Sequence, residues 1–337
     1  MKTAVLGATT WGTTLARLLA SKGVPVTLLT RSQEEATRLA EAGEHPVYLR
    51  GFPFPPGLAV APMDSKELDQ AEAIVIVVPS ASVRENVRRV RNRLADRALL
   101  VSASKGLEIG SGLRMSEVIT SELGAAASRR LCVLSGPNLA LEVARGLPAV
   151  AVLASHDPAA AEQARELFMA PAFRVYTNPD MIGVEMGGSL KNIIALGAGI
   201  CDGLGYGDNA KAALVTRGLA EITRLGVALG ARPATFAGLA GLGDLVTTCA
   251  SPLSRNHHVG EQLAKGRALS DIIASMVNVA EGINTTRAAR EMSRQIGVDM
   301  PITEQMYQVL FEGMEPRRAV AGLMLREAKS ELETWEA

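Results

Sequence analysis

Between Met186 and Ile200 the only charged side chain is Lys191, and between Pro233 and Ser254 the only one is Asp244. An ion left in an apolar helical stretch loses much of its hydration unless it is paired or used, so these two residues are the first candidates for chemistry. Burial disfavours the charged form of a lysine and brings its titration toward neutral pH, which suits proton transfer at a substrate oxygen. The plainer alternative is a surface lysine beside an apolar run and an aspartate capping a turn. Gly187, Gly188, Gly197 and Gly199 crowd the lysine's segment. Each costs about 1 kcal/mol relative to alanine inside a helix, so the segment is expected to receive a close approach of other backbone. Asp244 follows Gly241 and Gly243, read here as a turn whose glycines free the backbone. Ser254, Arg255 and Asn256 end the second stretch with a hydroxyl, a planar cation and an amide, a local cradle for phosphate. Ser254 is equally placed to cap a helix, and a helix N-terminus itself attracts phosphate.

A second group of residues points to a nucleotide. Gly7-Ala8-Thr9-Thr10-Trp11-Gly12 follows a short β-rich run and opens a helical one, the place where helix amides hold a pyrophosphate. Gly7 suits the tight turn and Gly12 the contact of helix with strand. The middle glycine of the G-x-G-x-x-G pattern is Thr9, whose branched side chain is expected to crowd the pyrophosphate or shift its contact. At the end of the second strand, Arg31 and Ser32 stand where an acidic residue would accept from the ribose 2′-hydroxyl of NAD. A cation and a hydroxyl there favour the 2′-phosphate of NADP(H), with NAD(H) also possible.

The elements that must position these residues change character along the chain. Candidate strands at Thr3–Leu6, Val26–Thr30, 74–78, Leu99–Ser102, 131–134, 150–153 and 174–176 alternate with helical patterns, the signature of a parallel sheet with crossover helices. The first helix is expected over Trp11 to Lys22, stopped by Gly23. Four prolines between Gly43 and Pro62 mark a loop or irregular excursion. From about Met181 the pattern is helical throughout, so a nucleotide-binding domain over 1–180 and a helical domain over 181–337 are expected. Lys105 falls just after a strand, at the carboxyl edge of the sheet where ligands bind, and Gly136 and Asn138 follow another. The 337 residues carry 35 basic and 35 acidic side chains with 47% hydrophobic content, which gives no electrostatic case for nucleic acid or anionic lipid. The apolar run 193–200 is too short to span a bilayer. Cys132, Cys201 and Cys249 read as buried thiols of a reducing compartment, and no metal-ligand spacing occurs, so a cytoplasmic, metal-free protein is expected.

Taken together, Gly7-x-x-x-Trp11-Gly12-Thr13, Val78-Pro79-Ser80, Ser104-Lys105-Gly106-Leu107-Glu108, Ser135-Gly136-Pro137, Leu190-Lys191-Asn192, Gly241-Leu242-Gly243-Asp244-Leu245, Ser254-Arg255-Asn256 and Glu281-Gly282 fall in a family-specific order. The ordered set resembles bacterial-type NAD(P)-dependent sn-glycerol-3-phosphate dehydrogenases over essentially the whole chain. The resemblance implies an α/β Rossmann-like, mostly parallel N-terminal sheet and an all-helical C-terminal domain. It implies hydride transfer between a nicotinamide and the middle carbon of glycerol 3-phosphate or dihydroxyacetone phosphate, a phosphorylated triose, feeding phospholipid synthesis, and a homodimer. Lys191 would be the proton acceptor in oxidation, with Asp244 and Asn192 at its side. Substrate contacts would come from Lys105, Gly136, Asn138, Lys191, Asp244, Thr248, Ser254, Arg255 and Asn256. Cofactor contacts would come from Gly7, Thr10, Trp11, Gly12, Arg31, Ser32, Tyr48, Lys105, Ala140, Arg255, Val279 and Glu281. Asn138 stands where the family has serine or threonine, and His257 and His258 are expected to be exposed neighbours of the site. The competing readings are a hydroxy acid reductase of the same plan and a non-catalytic dinucleotide-binding regulator.

Overall fold

The computed structural model describes residues 1–328, 330 and 331, and the chain divides into two compact units. The first comprises Met1–Ser104 and Met115–Met181; the second comprises Lys105–Arg114 and the chain from Ile182 onward. The short segment Lys105–Arg114 thus interrupts the first unit in sequence and belongs to the second, which a single boundary near residue 180 does not capture.

The first unit is built on eight strands: β1 (Thr3–Leu6), β2 (Val26–Thr30), β3 (Leu58–Pro62), β4 (Ala73–Ile76), β5 (Leu99–Ser102), β6 (Leu131–Ser135), β7 (Ala149–Ser155) and β8 (Phe173–Asn178). They form one sheet in the order β3-β2-β1-β4-β5-β6-β7-β8. Neighbouring strands run parallel except β6 and β7, which pair antiparallel with Cys132 opposite Ser155. The sheet is thus mostly parallel, as the sequence implies, with one antiparallel pair. Only the short helix Ala140–Ala144 lies between β6 and β7, and an antiparallel neighbour does not need the long crossover a parallel one would. β3 corrects one expectation, because the proline-rich excursion ends in a strand that pairs from Leu58 with Val26 to Pro62 with Thr30. A proline is tolerated at the end of an edge strand, where no neighbour needs its missing N–H.

The strands of the sheet's middle are apolar on both faces, as β1, β4 and β5 are buried at every position. The first helix, Thr10–Ser21, lays Leu15, Ala16 and Leu19 into the core with Val5, Leu28 and Val75. It ends at Lys22, and Gly23 takes a positive φ of 82° that a residue with a side chain rarely adopts.

The second unit is helical and is organised around Met181–Leu204, the helix that carries Lys191. From Gly183 to Cys201 every position of this helix is buried, so it is a central helix with neighbours on all sides rather than an amphipathic surface one. Its Leu190, Ile193, Ile194 and Leu196 share a core with Ile222, Phe236, Leu245 and Val259. No single described helix is long and apolar enough to cross a membrane; Pro233–Ala250 and Arg255–Ala264 reach that composition only as a pair bent by 47°.

Candidate active site

The glycines of the Lys191 helix bring the site together. A Cβ on Gly187 would lie 2.6 Å from the Ala240 carbonyl oxygen, and one on Gly199 would lie 1.9 Å from the His257 carbonyl oxygen. Gly187, one turn before Lys191, thus admits the segment Leu239–Gly243, which is not a turn freed by glycine but a single π-helical turn leading into the helix Asp244–Ala250. Gly241 is needed there for space, since a Cβ would lie 2.1 Å from the Phe236 carbonyl oxygen. Gly199 admits the helix Arg255–Ala264, capped by Ser254, whose side chain accepts from the His257 N–H.

The result is a charged triad, buried at Lys191 and Asp244 and half-buried at Lys105. Lys191 Nζ donates to Asp244 Oδ1 at 2.5 Å and to Thr248 Oγ1 at 2.6 Å. Lys105 Nζ donates to the other carboxylate oxygen, Asp244 Oδ2, at 2.6 Å. Thr248 Oγ1 in turn donates to the Asp244 carbonyl, which fixes it as an acceptor toward the lysine. Lys191 and Asp244 are buried, so each charge depends on the others for the hydration it has lost. Burial pushes the Lys191 amine down to about 8, with Asp244 pulling it up and Lys105 pushing it down. With both amines protonated, two cations share one carboxylate, and the cluster favours an anionic ligand. Lys105 is held in place through its own segment: the Gly106 N–H donates to Ser189 Oγ at 2.9 Å, and Arg114 pairs with Glu185 at 2.5 Å. Ser189 and Glu185 stand on the Lys191 helix, so the loop is tied back at both ends. Neither residue was legible as a support, because each is one polar side chain whose partner is distant in sequence.

Asn192 and Asn256 are both buried and bonded to each other at 2.9 Å, and Asn256 Oδ1 also accepts from the Gly282 N–H at 2.9 Å. One Nδ2 hydrogen of Asn256 is thus engaged by Asn192, which leaves its second for the phosphate cradle that the Ser-Arg-Asn run suggests. Arg255 is exposed and Ser254 is buried as the helix cap. Glu281 is the first residue of the helix Glu281–Ile296, and Val279 before it is exposed. His258 is exposed, but His257 is not the exposed neighbour it was expected to be: its Nε2 lies 2.7 Å from Asp202 Oδ2, and Lys211 holds the other oxygen of Asp202 at 2.7 Å.

In the first unit the turn from β1 into the first helix has the shape a pyrophosphate needs. Gly7 has a φ of 119°, and a Cβ there would lie 2.8 Å from the Val77 carbonyl oxygen. Gly12 packs so closely that a Cβ would lie 2.0 Å from the Gly7 carbonyl oxygen. Thr9 stands outside the pattern with a defined task. It caps the helix, accepting from the Gly12 N–H at 3.0 Å and donating to the Val77 carbonyl at 3.0 Å. That takes one of the helix's first amides, while the Trp11 N–H meets no protein acceptor among the described residues. His45, which the sequence did not single out, joins the proline-rich segment to this loop: its Nε2 lies 3.0 Å from the Ala8 carbonyl oxygen, and its Nδ1 accepts from the Tyr48 N–H at 3.1 Å. The turn, the free helix amide and the glycine spacing fit a dinucleotide.

At the end of β2 the side chain of Arg31 is 85% exposed, with Glu35 Oε2 at 3.7 Å from its Nε, while Ser32 caps the helix Gln33–Ala42. Arg31, Ser32, Glu34, Glu35 and Arg38 line one concavity of about 400 Å³. Gly136 takes a φ of 126°, and a Cβ there would lie 3.0 Å from the Val150 carbonyl oxygen. Asn138 donates through Nδ2 to that same carbonyl at 2.9 Å, leaving a buried Oδ1 with no protein partner. That oxygen can therefore accept from a ligand there, and the second Nδ2 hydrogen can still donate. Ala140 opens its helix, and its carbonyl accepts from Thr14 Oγ1 at 3.4 Å.

Comparison with known proteins settles the family. Residues 2–161 match the N-terminal part, and residues 180–321 the C-terminal part, of NAD-dependent glycerol-3-phosphate dehydrogenase. The chain belongs to the NAD-dependent glycerol-3-phosphate dehydrogenase family. A relative from Dehalococcoides mccartyi named glycerol-3-phosphate dehydrogenase [NAD(P)+] is 51% identical, over 98% of this chain and 92% of its own. One from Pelotomaculum thermopropionicum with the same name is 50% identical, over 98% of this chain and 95% of its own. The crystal structure of the glycerol-3-phosphate dehydrogenase of Coxiella burnetii superposes with a TM-score of 0.91 at 39% identity, covering 96% of this chain and 99% of that one. Within this family the α/β sheet and the helical half recur together.

Proposed function

We propose that this chain interconverts dihydroxyacetone phosphate and sn-glycerol 3-phosphate with NAD(P) as the redox partner. The observation that carries the reading is Lys191, buried and held between Asp244 and Thr248 in a chain of this family. When bound, NAD(P) would supply the acceptor for the hydride of the middle carbon in oxidation and its donor in reduction. In oxidation Lys191 Nζ, when neutral, takes the proton of the substrate hydroxyl; in reduction its ammonium gives that proton back to the oxygen. An amine that titrates at about 8 has both forms available near neutral pH. Asp244 and Thr248 hold Lys191 in one rotamer and balance its charge, while Lys105 adds a cation for the oxygen-rich substrate. Ser254, Arg255 and Asn256 are the proposed phosphate contacts, Gly136 and Asn138 are further proposed substrate contacts, and Asn192 stands beside Lys191 to hold a substrate oxygen or orient the amine.

The proposed cofactor contacts are Gly7, Thr10, Trp11, Gly12, Tyr48 and Ala140 around the first turn, Arg31 and Ser32 at the adenosine ribose, and Lys105, Arg255, Val279 and Glu281 from the helical unit. Arg31 supports NADPH over NADH, because its guanidinium is exposed and only loosely paired with Glu35. The family resemblance supports a cytoplasmic homodimer, which light scattering on the purified protein tests. The deciding assay is loss of NADPH or NADH absorbance with dihydroxyacetone phosphate. Turnover is expected with both and faster with NADPH. Cofactor binding without turnover would instead support a non-catalytic dinucleotide-binding regulator. Lys191→Met should lose turnover by several orders of magnitude and keep cofactor binding; retained turnover would remove Lys191 from the proton path.

A further inference from the structure

The proline-rich segment and the dinucleotide turn meet at His45. Its side chain is buried, and both ring nitrogens are spent on backbone. The Tyr48 N–H can only donate, so Nδ1, which it meets at 3.1 Å, carries no proton. The Ala8 carbonyl oxygen can only accept, so Nε2, 3.0 Å from it, must carry one. Backbone thus selects one neutral tautomer, and a second proton, on Nδ1, would face an N–H. The ring also lies against Tyr48, with centroids 4.6 Å apart. The far end of the segment is fixed separately: Arg17 of the first helix donates to the Pro53 carbonyl at 3.0 Å and lies over the Phe52 ring.

The Ala8 contact sets the polarity of the turn. In a trans peptide the carbonyl and the N–H point opposite ways, so turning the Ala8 carbonyl onto His45 turns the Thr9 N–H away from it. That N–H meets no protein acceptor among the described residues, and with the Trp11 N–H it gives the turn two amides to offer an anion. The same peptide reversed would show the anion an oxygen.

We propose that His45 is a positioning residue of the dinucleotide site: in its neutral form it holds the Ala8–Thr9 peptide with its N–H toward the pyrophosphate and seats Tyr48, and a proton on its ring releases both. The inference rests on the cofactor reading given above. Two charges from the helix Gln33–Ala42 act on the ring with opposite signs, Glu35 favouring its proton and Arg38 opposing it, while the neighbouring Glu44 accepts from the Gly51 N–H. Burial is the larger influence and holds the ring below its ordinary pKa, so the neutral form prevails at neutral pH. Cofactor affinity is therefore carried by the neutral ring and falls in acid.

The test separates the proton from the contact. His45→Gln brings an amide NH2 near the place of Nε2, so it keeps a donor for the Ala8 carbonyl and has nothing to titrate. Affinity for NADP+, the cofactor form that survives acid, is measured by titration calorimetry on parent and variant from pH ~7.5 down to ~5. The parent's affinity relative to His45→Gln should fall by up to about tenfold per pH unit once the ring takes up its proton. Titration of the cofactor's own 2′-phosphate cancels in that ratio. His45→Leu fills the space and serves neither partner, so it should bind NADP+ about tenfold more weakly than the parent at pH ~7.5. A parent-to-glutamine ratio that stays constant with pH, or parent-like affinity of His45→Leu at pH ~7.5, would overturn the proposal. The glutamine variant decides alone if the leucine one does not fold. NADP+ binding without turnover of dihydroxyacetone phosphate would sink the dehydrogenase reading and leave the role of His45 standing; a parent protein that binds no dinucleotide would overturn both.

Discussion

Replacing Asp244 with asparagine should move the proton on Lys191 and, with it, the pH dependence of turnover. In the parent, burial pushes the Lys191 amine down to about 8, and Asp244 is the group that pulls it up while Lys105 pushes it down. Two unit charges about 4 Å apart at an effective dielectric of about 20 interact by about 4 kcal/mol. Since about 1.4 kcal/mol moves a pKa by one unit, loss of the carboxylate charge removes up to about 3 units of support. The asparagine oxygen still accepts from Nζ, so a fall of about 1 to 3 units is expected. Reduction of dihydroxyacetone phosphate needs the ammonium, so its rate falls as pH rises through this pKa, and that alkaline limb should shift to lower pH in Asp244→Asn. Steady-state kcat from pH 5.5 to 9.5, with saturating cofactor, reads the limb directly. A variant slowed by the same factor at every pH, with the limb where the parent has it, would refute electrostatic tuning and leave Asp244 a purely positional role.

Glu221→Gln should flatten a slope in stability. The Glu221 carboxyl accepts from the Ile302 and Thr303 N–H groups and from Thr303 Oγ1, and burial pushes it up from 4.5 to about 7. The folded state therefore holds this proton more tightly than the unfolded one, so stability falls as pH rises from 4.5 to 7, by about 3 kcal/mol from this group. The glutamine variant should lose that slope and about 1–3 kcal/mol at pH 5, because its NH2 meets an N–H donor; urea unfolding at pH 5 and 7.5 measures both. Thr9→Gly should cost only a few tenths of a kcal/mol in helix capping and free the Gly12 N–H. NADPH affinity should then rise severalfold by fluorescence titration, and an unchanged affinity would show that the pyrophosphate never needed that amide. Arg255→Ala should raise the Michaelis constant for dihydroxyacetone phosphate at least about tenfold with little change in kcat, in line with a charge-assisted bond made equally in ground and transition states. A normal Michaelis constant would remove Arg255 from the phosphate site.

Much of the sheet is legible because central parallel strands are continuous apolar runs between turn residues. Thr3–Leu6, Val26–Thr30 and Leu99–Ser102 have the same ends in the sequence reading and in the structure. β3 is not legible in that way. It is a short edge strand that ends in Pro62 and is only partly buried, so neither its pattern nor its composition separates it from the prolines before it. The direction of β7 is likewise hidden, since an apolar run reads the same either way and the connection before it decides.

The site was legible where burial leaves a mark in composition and illegible where it does not. Lys191 and Asp244 stand out because their neighbours are apolar; Glu221 is just as buried but sits among Arg217, Thr223 and Arg224, and nothing in that helix announces that its carboxylate holds the start of another. The glycines fall between these cases. Their number in the Lys191 helix says that something approaches, but not what, and the answer is the two segments that carry the remaining chemistry. Gly187 receives the turn that delivers Asp244, and Gly199 receives the helix that delivers Arg255 and Asn256. Alanine at either position would place a methyl well inside the van der Waals contact distance of a carbonyl oxygen and push that segment away from Lys191. The helix propensity lost at these glycines, about 1 kcal/mol each, is thus the cost of bringing a buried amine, its counter-ion and an anion-binding helix start to one place.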